Sequence, residues 1–244
     1  MVNAHRINRG EYPLIRNRDT DFFLERKESA AEAAQSVVAL VEKRLPKFLN
    51  VDSLKGIQVM APMKKGALGV FQMNALLQGA LNPPGRDKGE IKRGDCVFRL
   101  GDKVMQVRNN YDLEWTRGSE RGEGVFNGDI GYIAALSRAD RELTVEFDDG
   151  RRAEYDDSTL DELELYYCIS VHKSQGSEFD AVVLPLLSGP PMLMTRNLLY
   201  TAVTRARRLV VIVGREACVR QMVDNNRILR RYSALCMRLR SRRL

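Results

Sequence analysis

The period of the apolar positions changes twice along the chain. Ala30, Ala33, Ala34, Val37, Val41 and Leu45 recur at helical spacing. Ser29-Ala30-Ala31-Glu32 opens that stretch as a capping box, and Pro46 is expected to end it. Ile57–Ala61 reads as a short buried strand, followed by a helix over Gly66–Ala80 with Val70, Met73 and Leu77 on one face. Strand then helix is half of an α/β unit. The first 25 residues lack any such rhythm, and Arg9-Gly10-Glu11-Tyr12-Pro13 reads as a connection.

At Asn82-Pro83-Pro84-Gly85 the pattern breaks. Short strands follow at Cys96–Arg99, Lys103–Val107, Ile130–Leu136, Leu143–Phe147 and Arg151–Tyr155. Gly101-Asp102, Asn127-Gly128-Asp129 and Asp148-Asp149-Gly150 supply the turns, as in a small antiparallel barrel. After Tyr166 the α/β pattern resumes: a β-branched run over Asp180–Leu186, a helix over Thr195–Arg207, a buried strand over Leu209–Val213 and a helix from Arg215. The expected organisation is one α/β domain, residues 1–88 and 166–244, interrupted by an inserted barrel at 89–165.

Composition narrows the class. At 44% hydrophobic and 29% charged the chain is an ordinary globular one. The longest apolar runs, Ala181–Leu187 and Leu209–Val213, fall far short of the ~20 residues of a membrane span, and the charged first twenty residues give no expectation of a secretory leader. Cys96, Cys168, Cys218 and Cys236 form no CxxC pair, so reduced thiols and a cytoplasmic setting are expected. The net charge of +7 belongs to a tail: Arg227–Leu244 holds seven arginines, and the rest has 32 basic against 32 acidic residues. Ile228, Tyr232, Leu235 and Leu239 recur there at helical spacing, so the tail is either a packed helix with solvated arginines or a basic surface for DNA or a partner.

Two segments carry chemistry. Ser170-Val171-His172-Lys173-Ser174-Gln175-Gly176-Ser177-Glu178-Phe179-Asp180 gathers hydroxyls, a cation, an imidazole and an amide before a glycine and a carboxylate. These groups hold phosphate oxygens, although a solvated helix end would look similar. In Asn197–Arg207, read as one helix, Arg205 lies at the edge of the buried face, where a partly desolvated guanidinium suits bidentate phosphate contact. A surface arginine with a buried stem is the plain alternative. No GxxxxGK[ST] loop is present.

Together these segments resemble motifs V and VI of superfamily 1 DNA helicases, most closely the RecD/TraA-type branch. Ala61-Pro62-Met63-Lys64-Lys65-Gly66, Leu76-Leu77-Gln78 and Leu81-Asn82-Pro83 look like the opening of that family's second RecA-like domain. Gly101–Gln106, Asn109–Asp112 and Phe126–Gly131 look like its inserted SH3-like barrel. The resemblance implies a RecA-like parallel sheet of P-loop NTPase type. It implies ATP and Mg²⁺ as cofactors and single-stranded DNA as partner, with no membrane. The phosphate loop and the Mg²⁺ ligands would lie on an N-terminal RecA-like domain missing here, in cis or in trans, so the isolated chain should be inactive. Polarity would be 5′→3′. Residue by residue, Arg205 would be the arginine finger, Gly176 and Glu178 would meet the nucleotide, and Lys64 or Lys65 would add a phosphate-binding cation. Ser170, His172, Lys173 and Ser174 would touch the DNA backbone.

Tyr111, Trp115 and Phe126 are candidate stacking platforms, Trp115 foremost, against the plain alternative of barrel core. Two other function classes compete: an ATP-independent nucleic-acid-binding module using the barrel, and a partner-docking scaffold. Neither needs nucleotide-facing residues such as Arg205 and Glu178.

Overall fold

The computed structural model describes residues 2–15, 20–85, 88–227 and 238. Apolar runs from both sides of the barrel segment form a parallel sheet of five strands: β1 (Phe22–Arg26), β2 (Ile57–Ala61), β12 (Cys168–Ser170), β13 (Phe179–Leu186) and β14 (Ala206–Gly214), in the order β1-β14-β13-β2-β12. Strand alternation sorts the side chains to two cores. Val182, Leu184, Val210 and Ile212 face one, with helices α1 (Val2–Arg9), α6 (Arg196–Val203) and α7 (Glu216–Asp224). Ala181, Val183, Leu209, Val211 and Val213 face the other, with α2 (Ala30–Ala39), α3 (Leu45–Leu49) and α5 (Val70–Leu81). Apolar residues on both faces are what a strand covered by helices on each side requires.

Three expectations change here. The irregular N-terminal stretch contains α1 and β1: Ile7 and Phe22 are buried, and the Asn3 amide bonds the Leu14 backbone at both ends. Too few apolar positions mark so short a helix. Pro46 does not end the second helix. A π-helical turn over Leu40–Arg44 lets the chain run on through Pro46 to Leu49, where Asn50 closes it in the left-handed conformation. The Ser29 hydroxyl does cap the start, accepting from the Glu32 amide. The helix read over Thr195–Arg207 stops at Val203.

Between β2 and β12 the described residues form nine antiparallel strands. A hairpin, β3 (Glu90–Arg93) and β4 (Cys96–Arg99), stands beside a seven-stranded sheet. That sheet holds β5 (Lys103–Gln106), β6 (Asn110–Arg117), β7 (Glu120–Val125), β8 (Ile130–Ser137), β9 (Glu142–Phe147), β10 (Arg152–Tyr155) and β11 (Leu163–Leu165). Hairpin and sheet share one core, with Ile91, Phe98, Val104, Ile133, Val145 and Tyr155 at its centre. Strands β6 and β7 escape a sequence reading because they are exposed over most of their length and carry charges on both faces. The stretch beyond Arg227 lies outside the described residues apart from Arg238, and so do its expected helix and Cys236. No helix among the described residues is long and apolar enough to cross a membrane.

Candidate nucleotide and nucleic-acid site

The segment after β12 crosses the sheet from one edge to the other. Ser170 is level with Ala61 at the C-terminal end of β2, whereas Phe179 starts β13 below the level of Ile57. The intervening residues fold as a 3₁₀ turn over Val171–Ser174 and then a turn at Gly176, whose φ of +90° favours glycine. A Cβ at Gly176 would meet nothing within 4 Å, so backbone conformation and not crowding selects the glycine. His172 is exposed and Lys173 half-buried near one edge, with Ser177 and Glu178 at the other.

At the N-terminal edge the two chemical segments meet. The Thr204 hydroxyl donates to the Tyr200 and Thr201 carbonyls, each at 3.0 Å, where α6 ends. Arg205 therefore stands in a tight turn and not on the helix. Its carbonyl accepts from the Phe179 amide (2.9 Å), tying this turn to the start of β13. Its half-buried guanidinium donates to the Thr201 carbonyl (3.3 Å) and the Ser177 carbonyl (3.4 Å). Both bonds are long, and no carboxylate pairs with it among the described residues. Glu178 is exposed and forms an ion pair with Arg207 at 3.0 Å, on the wall of a cleft of about 420 Å³ that Tyr200 and Thr204 also line.

The C-terminal edge carries other cations. Lys64 and Lys65 are exposed on the loop between β2 and α5. Gly69 makes this loop possible, because a Cβ there would come within 2.5 Å of the Lys65 carbonyl carbon. β2 and β12 are neighbours and parallel, so this loop and the 171–174 turn leave adjacent strand ends. The sequence reading put Lys64 and Lys65 with the nucleotide group. The structure places them across the sheet from Arg205 and Glu178, on the edge shared with His172. Lys173 holds Glu164 of β11 at 2.6 Å. Ser170 is half-buried, and Ser174 is fully buried with its hydroxyl on the Val171 carbonyl (2.7 Å), so Ser174 shapes the turn instead of offering a surface contact.

Trp115 is half-buried. Its indole lies over Gly122, where a Cβ would sit 2.5 Å from the ring, and the Arg117 and Arg151 guanidiniums cover it at 5.8 and 5.7 Å. The aromatic pair open to solvent is Tyr111 with Phe126, edge to face at 5.7 Å. Burial raises the pKa of all three described thiols, Cys96 to about 12, which makes them inert packing groups. Sequence reasoning missed Tyr166, which no periodicity marks, and gave Ser177 no role of its own within the motif. Tyr166 is buried at the entry to β12, and burial lifts its phenol to about 12.

Two family models match this chain. One, described as the ATP-dependent RecD-like DNA helicase SH3 domain, spans residues 73–147, and the other, the UvrD-like helicase C-terminal domain, spans 165–213. The chain is 35% identical over 185 residues to the ATP-dependent RecD2 DNA helicase of Deinococcus radiodurans, covering 76% of this chain and 24% of that protein. It is 31% identical to the RecBCD enzyme subunit RecD of Mycolicibacterium smegmatis, covering 75% of this chain and 29% of that subunit. Among solved structures, a Bacteroides Pif1 helicase in complex with ADP-AlF3 and ssDNA superposes with a TM-score of 0.50 at 19% identity, over 99% of this chain and 53% of that one, which shows a shared fold. The chain thus spans about a quarter of the length of these two curated relatives. The fold, the barrel and the motif-bearing strands together make this chain the C-terminal part of a RecD-like superfamily 1 helicase, a RecA-like domain with an SH3-like barrel.

Proposed function

We propose that this chain is the C-terminal motor half of an ATP-dependent DNA helicase, with residues 1–88 and 166–244 as the second RecA-like domain and 89–165 as the inserted barrel. Its partner half, in cis or in trans, supplies the phosphate loop and the Mg²⁺ ligands, so this chain alone turns over no ATP. The observation that carries the reading is the meeting of two segments nearly thirty residues apart at one edge of the sheet. There Arg205 keeps a directed guanidinium on weak carbonyl partners, 3.4 Å from the Ser177 carbonyl, beside Gly176 and Glu178. A guanidinium so held has donors to give to phosphate oxygens, and charge stabilisation by such a finger raises phosphoryl-transfer rates by ~10³–10⁵.

Glu178 is suited to accept from a ribose hydroxyl once it exchanges its exposed partner Arg207. Lys64, Lys65, His172 and Ser170, all toward the opposite edge, form the side that meets the single-stranded DNA backbone, with Lys173 joining by exchange from Glu164. Such contacts make binding independent of base sequence and weaker with salt. A 5′→3′ direction of travel and a cytoplasmic setting follow from the resemblance to the RecD type. The barrel's stacking platform is the exposed Tyr111–Phe126 pair in preference to the covered Trp115.

Arg205→Ala in the two-domain protein tests this directly. DNA-stimulated ATP turnover should fall by about two to five decades while single-stranded DNA affinity stays within roughly threefold. Arg205→Lys should restore little, because an ammonium lacks the planar fork. Lys173→Ala should do the reverse, weakening DNA binding at fixed salt and sparing DNA-independent turnover. Intact turnover with weakened DNA binding in Arg205→Ala would overturn the nucleotide-side assignment.

A further inference from the structure

The Gly101–Gln106 stretch has no part in the chemistry above, yet it contains the most heavily partnered polar side chain at the junction of barrel and sheet. Asp102 is fully buried between β4 and β5. One carboxylate oxygen accepts from the Asn82 amide (2.7 Å) and the Tyr167 hydroxyl (2.8 Å), the other from the Gln78 amide (2.6 Å) and the Arg99 backbone N–H (2.7 Å). Gln78 belongs to α5 and Asn82 caps it, whereas Tyr167 leads into β12. The next residue, Lys103, is 5% exposed and points to another part of the body. Its ammonium donates to the Leu54 carbonyl and lies 5.0 Å from the Tyr166 ring centroid, while its own carbonyl accepts from the Tyr166 amide (2.8 Å). Two consecutive barrel residues thus grip two consecutive residues of the strand that re-enters the sheet.

Those contacts continue to the nucleotide-side edge. Tyr166 and Tyr167 lead through β12 into the 171–174 turn, whose Ser174 carbonyl accepts from the Ser177 amide (3.1 Å), and the Ser177 carbonyl receives the Arg205 guanidinium. We propose that Asp102 and Lys103 are positioning residues that lock the barrel onto the α/β body and, through Tyr166 and Ser177, set the place of the Arg205 turn. A load on the barrel is then felt at Arg205 without any contact between them. The role assigned to Arg205 rests on the functional reading above, whereas the clamp itself does not.

Hydrogen exchange of this chain, followed by mass spectrometry, reads the clamp without nucleotide or DNA. The Ser177 amide bonds the Ser174 carbonyl and the Phe179 amide bonds the Arg205 carbonyl, so both report on the turn. Asp102→Asn keeps the volume but sets an NH₂ group against donors at a site where all four bonds are accepted. It should speed exchange in residues 166–179 at least about tenfold while β8, β9 and the 209–213 part of β14 keep their protection. Tyr167→Phe, which removes one hydroxyl, should give a smaller change with the same pattern and serves if the Asn variant does not fold. Loss of protection throughout β5, β8 and β9 would mean that Asp102 only holds the barrel together, and no acceleration at 177–179 would break the link to Arg205. Either result overturns the proposal and leaves the helicase reading standing, since that reading falls only on the turnover of Arg205→Ala.

Discussion

Asp102 and Arg205 are both charged side chains on turns that join regular elements, yet their surroundings differ in kind. Asp102 has no exposed surface and four donors between 2.6 and 2.8 Å, which use every acceptor site that it has. Arg205 is half-buried and leans on two carbonyls at 3.3 and 3.4 Å, which leaves most of its five donors unused. A saturated buried charge fixes architecture, because each donor left without it would lie buried and unsatisfied. A directed charge on weak partners can exchange them for a ligand at little expense. Motif membership alone does not separate these cases. Ser174 and Lys173 are neighbours in one motif, and one is sealed in while the other holds an exchangeable carboxylate.

The largest stability effect should come from the saturated side. Asp102→Ala leaves buried donors on Gln78, Asn82, Tyr167 and Arg99 without an acceptor, and at 1–3 kcal/mol for each such group the loss should reach at least about 3 kcal/mol. Urea denaturation measures it, and a loss below about 1 kcal/mol would show that the junction reorganises freely.

Lys103 sharpens the contrast, since it is a buried cation with no carboxylate within bonding distance among the described residues. Burial lowers its pKa from the usual 10.5 to about 8, against the pull of Asp148 and Asp52. The unfolded chain therefore holds a proton between about pH 8 and 10.5 that the folded chain has released, and the contribution of this lysine to stability improves as pH rises through that window. At pH 7 the charged form costs about 3 kcal/mol. Lys103→Met should recover part of that at neutral pH, by up to about 2 kcal/mol. The advantage should shrink as pH approaches 10, and paired denaturation curves at pH 7 and 9.5 check both the sign and the trend. A Met variant less stable at pH 7 would show that the Leu54 and Tyr166 contacts outweigh desolvation.

The smallest effect belongs to the exposed site. Glu178→Gln breaks an ion pair whose side chains are 56% and 62% exposed, and stability should move by less than about 0.5 kcal/mol. In the two-domain protein the same change should raise the KM for ATP if Glu178 meets the ribose. A large loss of stability would place Glu178 with Asp102 and remove it from the site.

Much of this was written in local pattern. The apolar runs at 57–61, 180–186 and 209–213 demanded strands buried on both faces, and the Ser29 capping box and the turn glycines behaved as their local chemistry requires. Gly176, Glu178 and Arg205 stood out in the sequence because their types suit phosphate and sugar contacts; the structure brings their two segments together at one edge of the sheet, and the nucleotide role proposed for them is tested by the Arg205→Ala measurement. Tertiary structure decided the rest. Helix α6 ends before Arg205 because Thr204 turns its hydroxyl onto the helix carbonyls and the chain must enter β14 beside Phe179, a contact between residues far apart in sequence. The sides of the sheet taken by Lys64, Lys65 and Arg205 depend on strand direction, which period-2 alternation does not encode. That Trp115 is covered and Ser174 sealed follows from strand pairing and a turn's own packing. The clamp at Asp102 and Lys103 was hidden for the same reason: a polar dipeptide after a glycine reads as a surface turn, and only the long-range packing of α5, β5 and the Tyr166–Tyr167 segment removes it from water.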